Sequence, residues 1–476
     1  MSVKQSVIGF CSLLFSLCLS TASAQTAAIH ELFGFPCNAV TGVCPDGSGP
    51  TGSLVQASDG NFYGTAVFGG AHNTNDGGTV FRISPVGQFA LLHTFVADKS
   101  GNFMNGNGPM GGLVEGKDGF LYGATTAGGA HNAGVIFKIS KFGKFKLLHS
   151  FCSEAECADG SNPSALVLGN DGNLYGGTLG GGAFNNGSIF RIKPAGPFTM
   201  LHALNDTSEG GPPSQALVQA SDGNFYGVGS FSPDGGLGNL FRVTPRGEFT
   251  DLHDMGDPPD ADANARLIQA SNGLLYGTTF YGEVFQISLS GSFQIVVPGP
   301  FHTILGGVTQ ASDGNLWGTF SGSGVSQNTD ALFADAIGGS NLLKVSFDCA
   351  INGGNPQGVI QGADGKLYGL AAACGVDSQG HAARGTVFTV EAGLAAPPPV
   401  FATFTPTSGK VNSQVTIRGD HFVGTTEVAF NGVEAAFKVL NAKFIRVTVP
   451  AGASTGPITV TNAGGTTMSK QTFTVD

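Results

Sequence analysis

Short runs of alternating apolar and polar residues recur along the chain. In GTVFRISPVGQFALLHTF (Gly78 to Phe95), one such run stops at Pro85-Val86-Gly87 and another begins. A period of two, punctuated by Pro and Gly, predicts two antiparallel strands joined by a turn. The design returns in GVIFKISKFGKFKLLHSF (Gly134 to Phe151), GSIFRIKPAGPFTMLHAL (Gly187 to Leu204) and GNLFRVTPRGEFTDLHDM (Gly238 to Met255). Upstream of each stands a second phrase, typified by LVQASDGNFYG (Leu54 to Gly64). It occurs seven times, with its turn at Asp59, Asp118, Asp171, Asp222, Asn272, Asp313 and Asp364, at spacings of 41 to 59 residues. An apolar run, Asp-Gly and an aromatic run read as strand, tight turn, strand. The Asp side chain accepts local backbone hydrogen bonds, and Gly takes the positive φ. Each unit therefore holds four strands in roughly 50 residues, which is the period of a β-propeller blade.

One place after the turn is always a large aromatic: Tyr63, Tyr122, Tyr175, Tyr226, Tyr276, Trp317 and Tyr368. Such a position supports the core between packed sheets. The seventh unit ends after GTVFTVEAG (Gly385 to Gly393) and lacks a fourth strand. IHELFGF (Ile29 to Phe35) has the length and ending of FKLLHSF (Phe145 to Phe151) and precedes the first unit. It is expected to complete the last blade, closing a seven-bladed ring and hiding its sheet edges. A linear solenoid would leave this strand unpaired and would need polar caps.

Residues 395–399 are a Pro-rich linker. Residues 400–476 again show short alternating strands (QVTIRG, EVAFNG, FIRVTVP, PITVTN, QTFTVD) with Gly, Asn or Pro at the turns. That pattern suggests an immunoglobulin-like sandwich, here without cysteine. The fold class expected is all-β: a seven-bladed β-propeller over 25–394 and a sandwich after it.

Composition narrows the function. The 476 residues include 76 Gly and 37 Phe but only 12% charged side chains, and the net charge is −11. No basic footprint for phosphate neutralisation exists, so a nucleic-acid partner is not expected. Lys4, the apolar run Val7 to Leu19 and Ser20-Thr21-Ala22-Ser23-Ala24 fit a secretory signal peptide over 1–24, cleaved after Ala24. No other stretch is long enough to span a membrane. A secreted or cell-surface monomer is expected. Six cysteines follow the signal: Cys37, Cys44, Cys152, Cys157, Cys349 and Cys374. An even number in an exported chain suggests disulfides, and no spacing favours zinc. Cys37 and Cys44 share one loop, and Cys152 and Cys157 share an equivalent one. Cys349 and Cys374 lie in loops that leave the same face of a propeller, so they can staple the last two blades.

The phrases LVQASDGNFYGT and GGTVFRISPVGQFALLHTF, with their copies over Ile29 to Gly393, resemble the GloVer (Gloeobacter–Verrucomicrobia) tandem repeat of bacterial exported proteins. FTPTSGKVNSQVTIRGDHF (Phe404 to Phe422) and VPAGASTGPITVTNAGG (Val449 to Gly465) are similar to the IPT/TIG domain. The resemblance implies no catalytic motif, and it implies a tail that serves as spacer or adhesion module.

Chemistry is sparse. GGAHN at Gly69 to Asn73 and Gly128 to Asn132 places His72, Asn73, Asp76, His131 and Asn132 in equivalent loops, as candidates for ligand or metal binding. The third copy has Phe184 instead of His, which favours a repeat-derived turn. His93, His149, His202 and His253 share one strand position and read as scaffold. The turn Asp residues are spread one per blade, whereas acid/base pairs need two carboxylates at a fixed separation. Asp257, Asp260, Asp262 and Asn264 form an oxygen-rich loop, the best calcium candidate, although Ala265 and Ser271 occupy the Gly and Glu positions of an EF-hand. Calcium apart, no cofactor is expected. Gln56, Gln219, Gln269, Gln310 and Gln361 recur on first strands, placed either to meet sugars or to bond between blades. Residues recurring evenly around a ring favour a non-enzymatic binding protein for an extracellular polysaccharide or surface protein. The alternative is a polysaccharide lyase or glycoside hydrolase with an acid/base cluster within Asp251 to Asp335.

Overall fold

The computed structural model describes residues 27–38, 40–71, 76–194, 196–213, 215–230, 238–256, 266–279, 282–298, 307–321, 330–337, 343–376 and 383–476. The expected signal segment 1–24 lies outside them, as do His72, Asn73, Asp257, Asp260, Asp262 and Asn264. Among the described residues no helix is long and apolar enough to cross a membrane.

The alternating runs form strands where the pattern places them. Ser48–Gln56, Phe62–Phe68, Thr79–Ile83 and Phe89–Thr94 pair in chain order as one antiparallel sheet. Five further sheets repeat this order through Leu343–Ser346; the third splits its first strand into Ser161–Pro163 and Val167–Leu168. The seventh sheet joins Gly354–Gln361, Leu367–Ala373 and Ala383–Glu391 to Ala28–Pro36. Ile29 faces Val390 and Phe33 faces Val387 in that pairing. The strand expected to close the ring does so.

Every junction between successive sheets holds its own apolar cluster. Phe95 and Val80 of the first sheet pack with Leu121, Phe137 and Ile139 of the second. The series continues around the ring, with Trp317 and Leu332 packing against Leu367 and Phe388. It ends where Phe35, Leu370 and Val387 meet Leu54 and Phe81 of the first sheet. The histidines on fourth strands belong to these seams. His93 stacks on Phe145 with centroids 4.2 Å apart, His149 on Phe198 at 4.1 Å and His253 on Phe293 at 4.3 Å. Phe33 stands where the others have His, and it stacks on Phe89 at 3.9 Å. The closing strand thus reproduces the contact made at the other seams. The Gly that follows each Tyr has a steric reason: a Cβ on Gly64 would lie 2.6 Å from the Phe81 ring of the neighbouring strand.

The tail forms two four-stranded sheets. One runs in the order Val400–Thr405, Gln414–Asp420, Phe444–Thr448, Phe437–Asn441. The other runs Val433–Glu434, Glu427–Phe430, Ile458–Asn462, Gly465–Met468. Phe404, Ile417, Val447, Phe430, Val460 and Phe473 share one core between them.

Phe35→Ala should destabilise the protein by about 3–5 kcal/mol, read as a lower denaturant midpoint, because Phe35 is fully buried in the closing seam. A second test concerns acid. Burial lowers the pKa of His93 to about 4 from 6.5. The unfolded chain therefore takes up a proton that the folded chain refuses. The stability held by the neutral ring is complete above about pH 6.5 and is lost as pH falls toward about 4. His93→Phe, which keeps the stack on Phe145, should remove on the order of 1–3 kcal/mol of that acid-induced loss. Melting curves at pH 7 and pH 4.5 measure it.

Candidate functional site

The seven turns, six Asp-Gly and one Asn-Gly at Asn272, share one end of the ring, the turn face, with the turns between third and fourth strands. In five turns the buried tyrosine hydroxyl donates to the Asp four residues earlier: Tyr63 to Asp59 at 2.8 Å, Tyr122 to Asp118 at 2.6 Å, Tyr175 to Asp171 at 2.9 Å, Tyr226 to Asp222 at 2.8 Å and Tyr368 to Asp364 at 2.6 Å. Trp317 donates its indole N–H to Asp313 at 3.2 Å, and Asn272 donates to the Tyr276 hydroxyl at 2.8 Å. Burial and the carboxylate acceptor push the Tyr175 hydroxyl up to about 12. These carboxylates orient turns and anchor rings, so they are scaffold.

The recurrent glutamines bond between blades. Gln56 accepts the Ala363 N–H at 2.8 Å, Gln219 that of Asn170 at 2.7 Å and Gln269 that of Ser221 at 2.7 Å. Gln310 and Gln361 accept from Ser271 and Ser312, each at 2.8 Å. Two blades depart from this rule. The second has Glu115, whose carboxylate accepts from the Ser58 N–H and hydroxyl, each at 2.7 Å. Burial raises the pKa of Glu115, opposed by Lys141 at 2.7 Å. The third blade has Leu168, which accepts nothing.

The tail seats at this break in the repeat. Leu440 and Phe444 are buried with Leu166, Leu168, Leu174 and Tyr122. Asn441 donates to the Glu115 carbonyl at 3.1 Å, and the Lys117 ammonium lies 3.7 Å from the Phe444 ring centroid. Burial lowers the pKa of Lys117. The linker is bound as well: the Ala395 carbonyl accepts from Ser312 at 2.6 Å and from Gln361 at 3.0 Å. A tail expected as a spacer thus packs against the turn face.

Together the inner strands and the tail line a partly open cavity of about 710 Å³. Ser53, Gln215 and Arg266 line it from the ring, and Asp420, His421 and Lys443 line it from the tail. Sequence reading missed this site. Its signal lies in the columns of the repeat, where Gln gives way to Glu115 and Leu168. In another column Ser53, Gly112, Ala165, Ala216, Gly307 and Gly358 are small but Arg266 is not.

The opposite end, the loop face, carries the disulfides Cys37–Cys44, Cys152–Cys157 and Cys349–Cys374, which join cysteines that the sequence places in one loop or on one face. His131 and Asn132 sit exposed in a loop of this face. Asn132, at φ 55°, accepts the Gly128 N–H at 3.0 Å and so shapes its own turn. Asp76 is buried behind the equivalent loop. The candidates of the two GGAHN copies therefore do not form one described cluster. Among the described residues no group of three or more His, Cys, Asp or Glu is placed to hold a metal. In the sector Asp251 to Asp335, Asp251 accepts from Asn239 at 2.9 Å, Glu283 from Thr279, and Asp330 from the Asn355 N–H at 2.6 Å.

Fold and seat define a β-propeller repeat protein with an IPT/TIG tail. Residues 35–158 and 152–299 match the Gloeobacter/Verrucomicrobia repeat, and residues 399–475 match the IPT/TIG domain. The chain belongs to the Gloeobacter/Verrucomicrobia repeat family. No curated protein sequence matches it. A streptogramin B lyase structure is similar with a TM-score of 0.53 at 14% identity, over 77% of this chain and 97% of that one. A catalytically inactive virginiamycin B lyase from Staphylococcus aureus, solved with quinupristin, gives 0.52 at 16%, over 77% and 99%. A fungal alcohol oxidase of the AA5 family, in complex with copper, gives 0.50 at 13%, over 90% and 97%. At these identities the likeness is one of fold.

Leu168→Gln restores the residue typical of the repeat but removes the apolar seat of Phe444. Hydrogen exchange of Phe437–Asn441 and Val114–Glu115 should quicken at least tenfold in this variant, with the remaining blades unchanged. Unchanged exchange there would show that the seat does not hold the tail.

Proposed function

We propose that the protein is an exported surface-interaction module without enzymatic activity, whose loop face meets an extracellular polysaccharide or a surface protein. The observation that carries this reading is the division between the two faces. The turn face is covered in part by the tail, although Val86 and Phe142 stay exposed on it, while the loop face is free of the tail and presents large apolar side chains beside its disulfides. Phe68 is 65% exposed and Phe184 is 56% exposed, and Ile351 is exposed beside Cys349. Exposed apolar groups rimmed by polar loops mark interaction surfaces, and aromatic rings serve sugars and protein partners alike. Three disulfides hold loops of that face and fit an oxidising, extracellular setting. The tail, in this reading, is a rigid second domain that closes the other end, and its outer sheet is left for adhesion.

The test is a glycan array probed with the protein and with the double variant Phe68→Ser, Phe184→Ser. Binding to at least one polysaccharide class is expected, weakened at least tenfold in the variant at an unchanged melting temperature. Equal binding by both would remove the loop face from the interaction. Silence of the whole array would overturn the glycan form of the reading and leave the protein partner.

A further inference from the structure

Arg266 breaks the symmetry of the channel. It occupies the inner-strand column otherwise filled by Ser53, Gly112, Ala165, Ala216, Gly307 and Gly358. A ring of small residues lets seven strands converge while leaving space along the axis. One long cation there shapes the cavity on one side and charges it. Among the described residues no hydrogen bond or ion pair reaches the guanidinium. Its side chain is exposed to the cavity, and the protein around the cavity lowers its pKa by desolvation. Leaving a cation unpaired in such a place costs stability unless a counter-charge joins it.

Among the described residues the other charges around the cavity form no ion pair with Arg266. Glu115 is already paired with Lys141 at 2.7 Å. In the cap, Asp420 and Lys443 both line the space, one charge of each sign. His421 is held by the Pro398 carbonyl at 3.0 Å. Among the described residues Arg266 is a cation of the cavity wall with no ion-pair partner. Two more polar side chains on the lining, Ser53 and Gln215, are half-buried and have no hydrogen-bond partner among the described residues. A cavity of about 710 Å³ lies within the range that takes a small ligand.

We propose that the capped channel is a binding site for a small carboxylate-bearing ligand, with the Arg266 guanidinium receiving the carboxylate and Gln215 and Ser53 receiving its hydroxyl or amide groups. A planar guanidinium matches a carboxylate with two parallel N–H···O bonds, and in a site shielded from bulk water such a pair is strong and directional. The carboxylate can come from an acidic sugar or from a free organic acid. This site is separate from the apolar loop face, so either can fail without the other.

Isothermal titration of the full-length mature protein with digalacturonate, glutarate and cellobiose at matched ionic strength tests it. Saturable binding of digalacturonate or glutarate, but not of cellobiose, is expected. Digalacturonate alone would identify the acidic-sugar source, and glutarate alone the free-acid source. Arg266→Gln should weaken that binding at least tenfold and Arg266→Lys less so, with a melting temperature no lower than that of the natural protein in either variant. Gln215→Ala should weaken it by a smaller factor, and His131→Ala should leave it unchanged. The proposal is overturned if neither acid binds, if cellobiose binds as well as digalacturonate, or if Arg266→Gln binds as the natural protein does.

Discussion

Everything in this molecule depends on the pairing of Ala28–Pro36 with Ala383–Glu391. It joins the two ends of a chain whose sheets otherwise meet only their neighbours in sequence. Without it the first and last sheets would each expose an apolar face, and the last sheet would lack its outer strand. With it Phe35 is sealed from water and Phe33 reproduces the ring stack of the His–Phe seams. Closure also creates the two features on which function rests: a central space, and two chemically different faces.

Repetition and its failures carry different information. What recurs is explained by the scaffold: Asp orients the turn, Tyr anchors it, Gln ties it to the next blade, and the Gly after Tyr makes room for a ring. Where a column breaks, a non-repeating partner has been accommodated. Glu115, Lys117 and Leu168 break two columns within two adjacent blades, and all three lie where Asn441 and Phe444 seat. Arg266 breaks a third column and lies on the cavity that this seating lines. The tail is thereby part of the propeller's chemistry, since it supplies the wall that turns an open channel into a cup.

Much of this was legible in the order of residues. The turn phrases and the closing strand follow from local pattern plus the geometry of a ring, and that geometry brings the cysteines to shared loops and one face without fixing their connectivity. The role of the histidines as scaffold was legible because four of them share one strand position. The docked tail was not. Its contact joins residue 441 to residue 115, and no periodicity links positions so far apart. Leu168 reads as ordinary drift from Gln until Phe444 is seen beside it. Arg266 was hidden for another reason: a cation before an apolar strand looks like a solvated loop end unless its six counterparts are set beside it.

The central claim is that propeller and tail form one body through the seat at Leu168. Small-angle X-ray scattering of the mature protein in solution tests it most directly. A single compact particle, with a pair-distance curve of one maximum that matches the docked structure, is the expected result. Two separated lobes and a long tail in that curve would show a domain held off by its linker, and would contradict the capped channel.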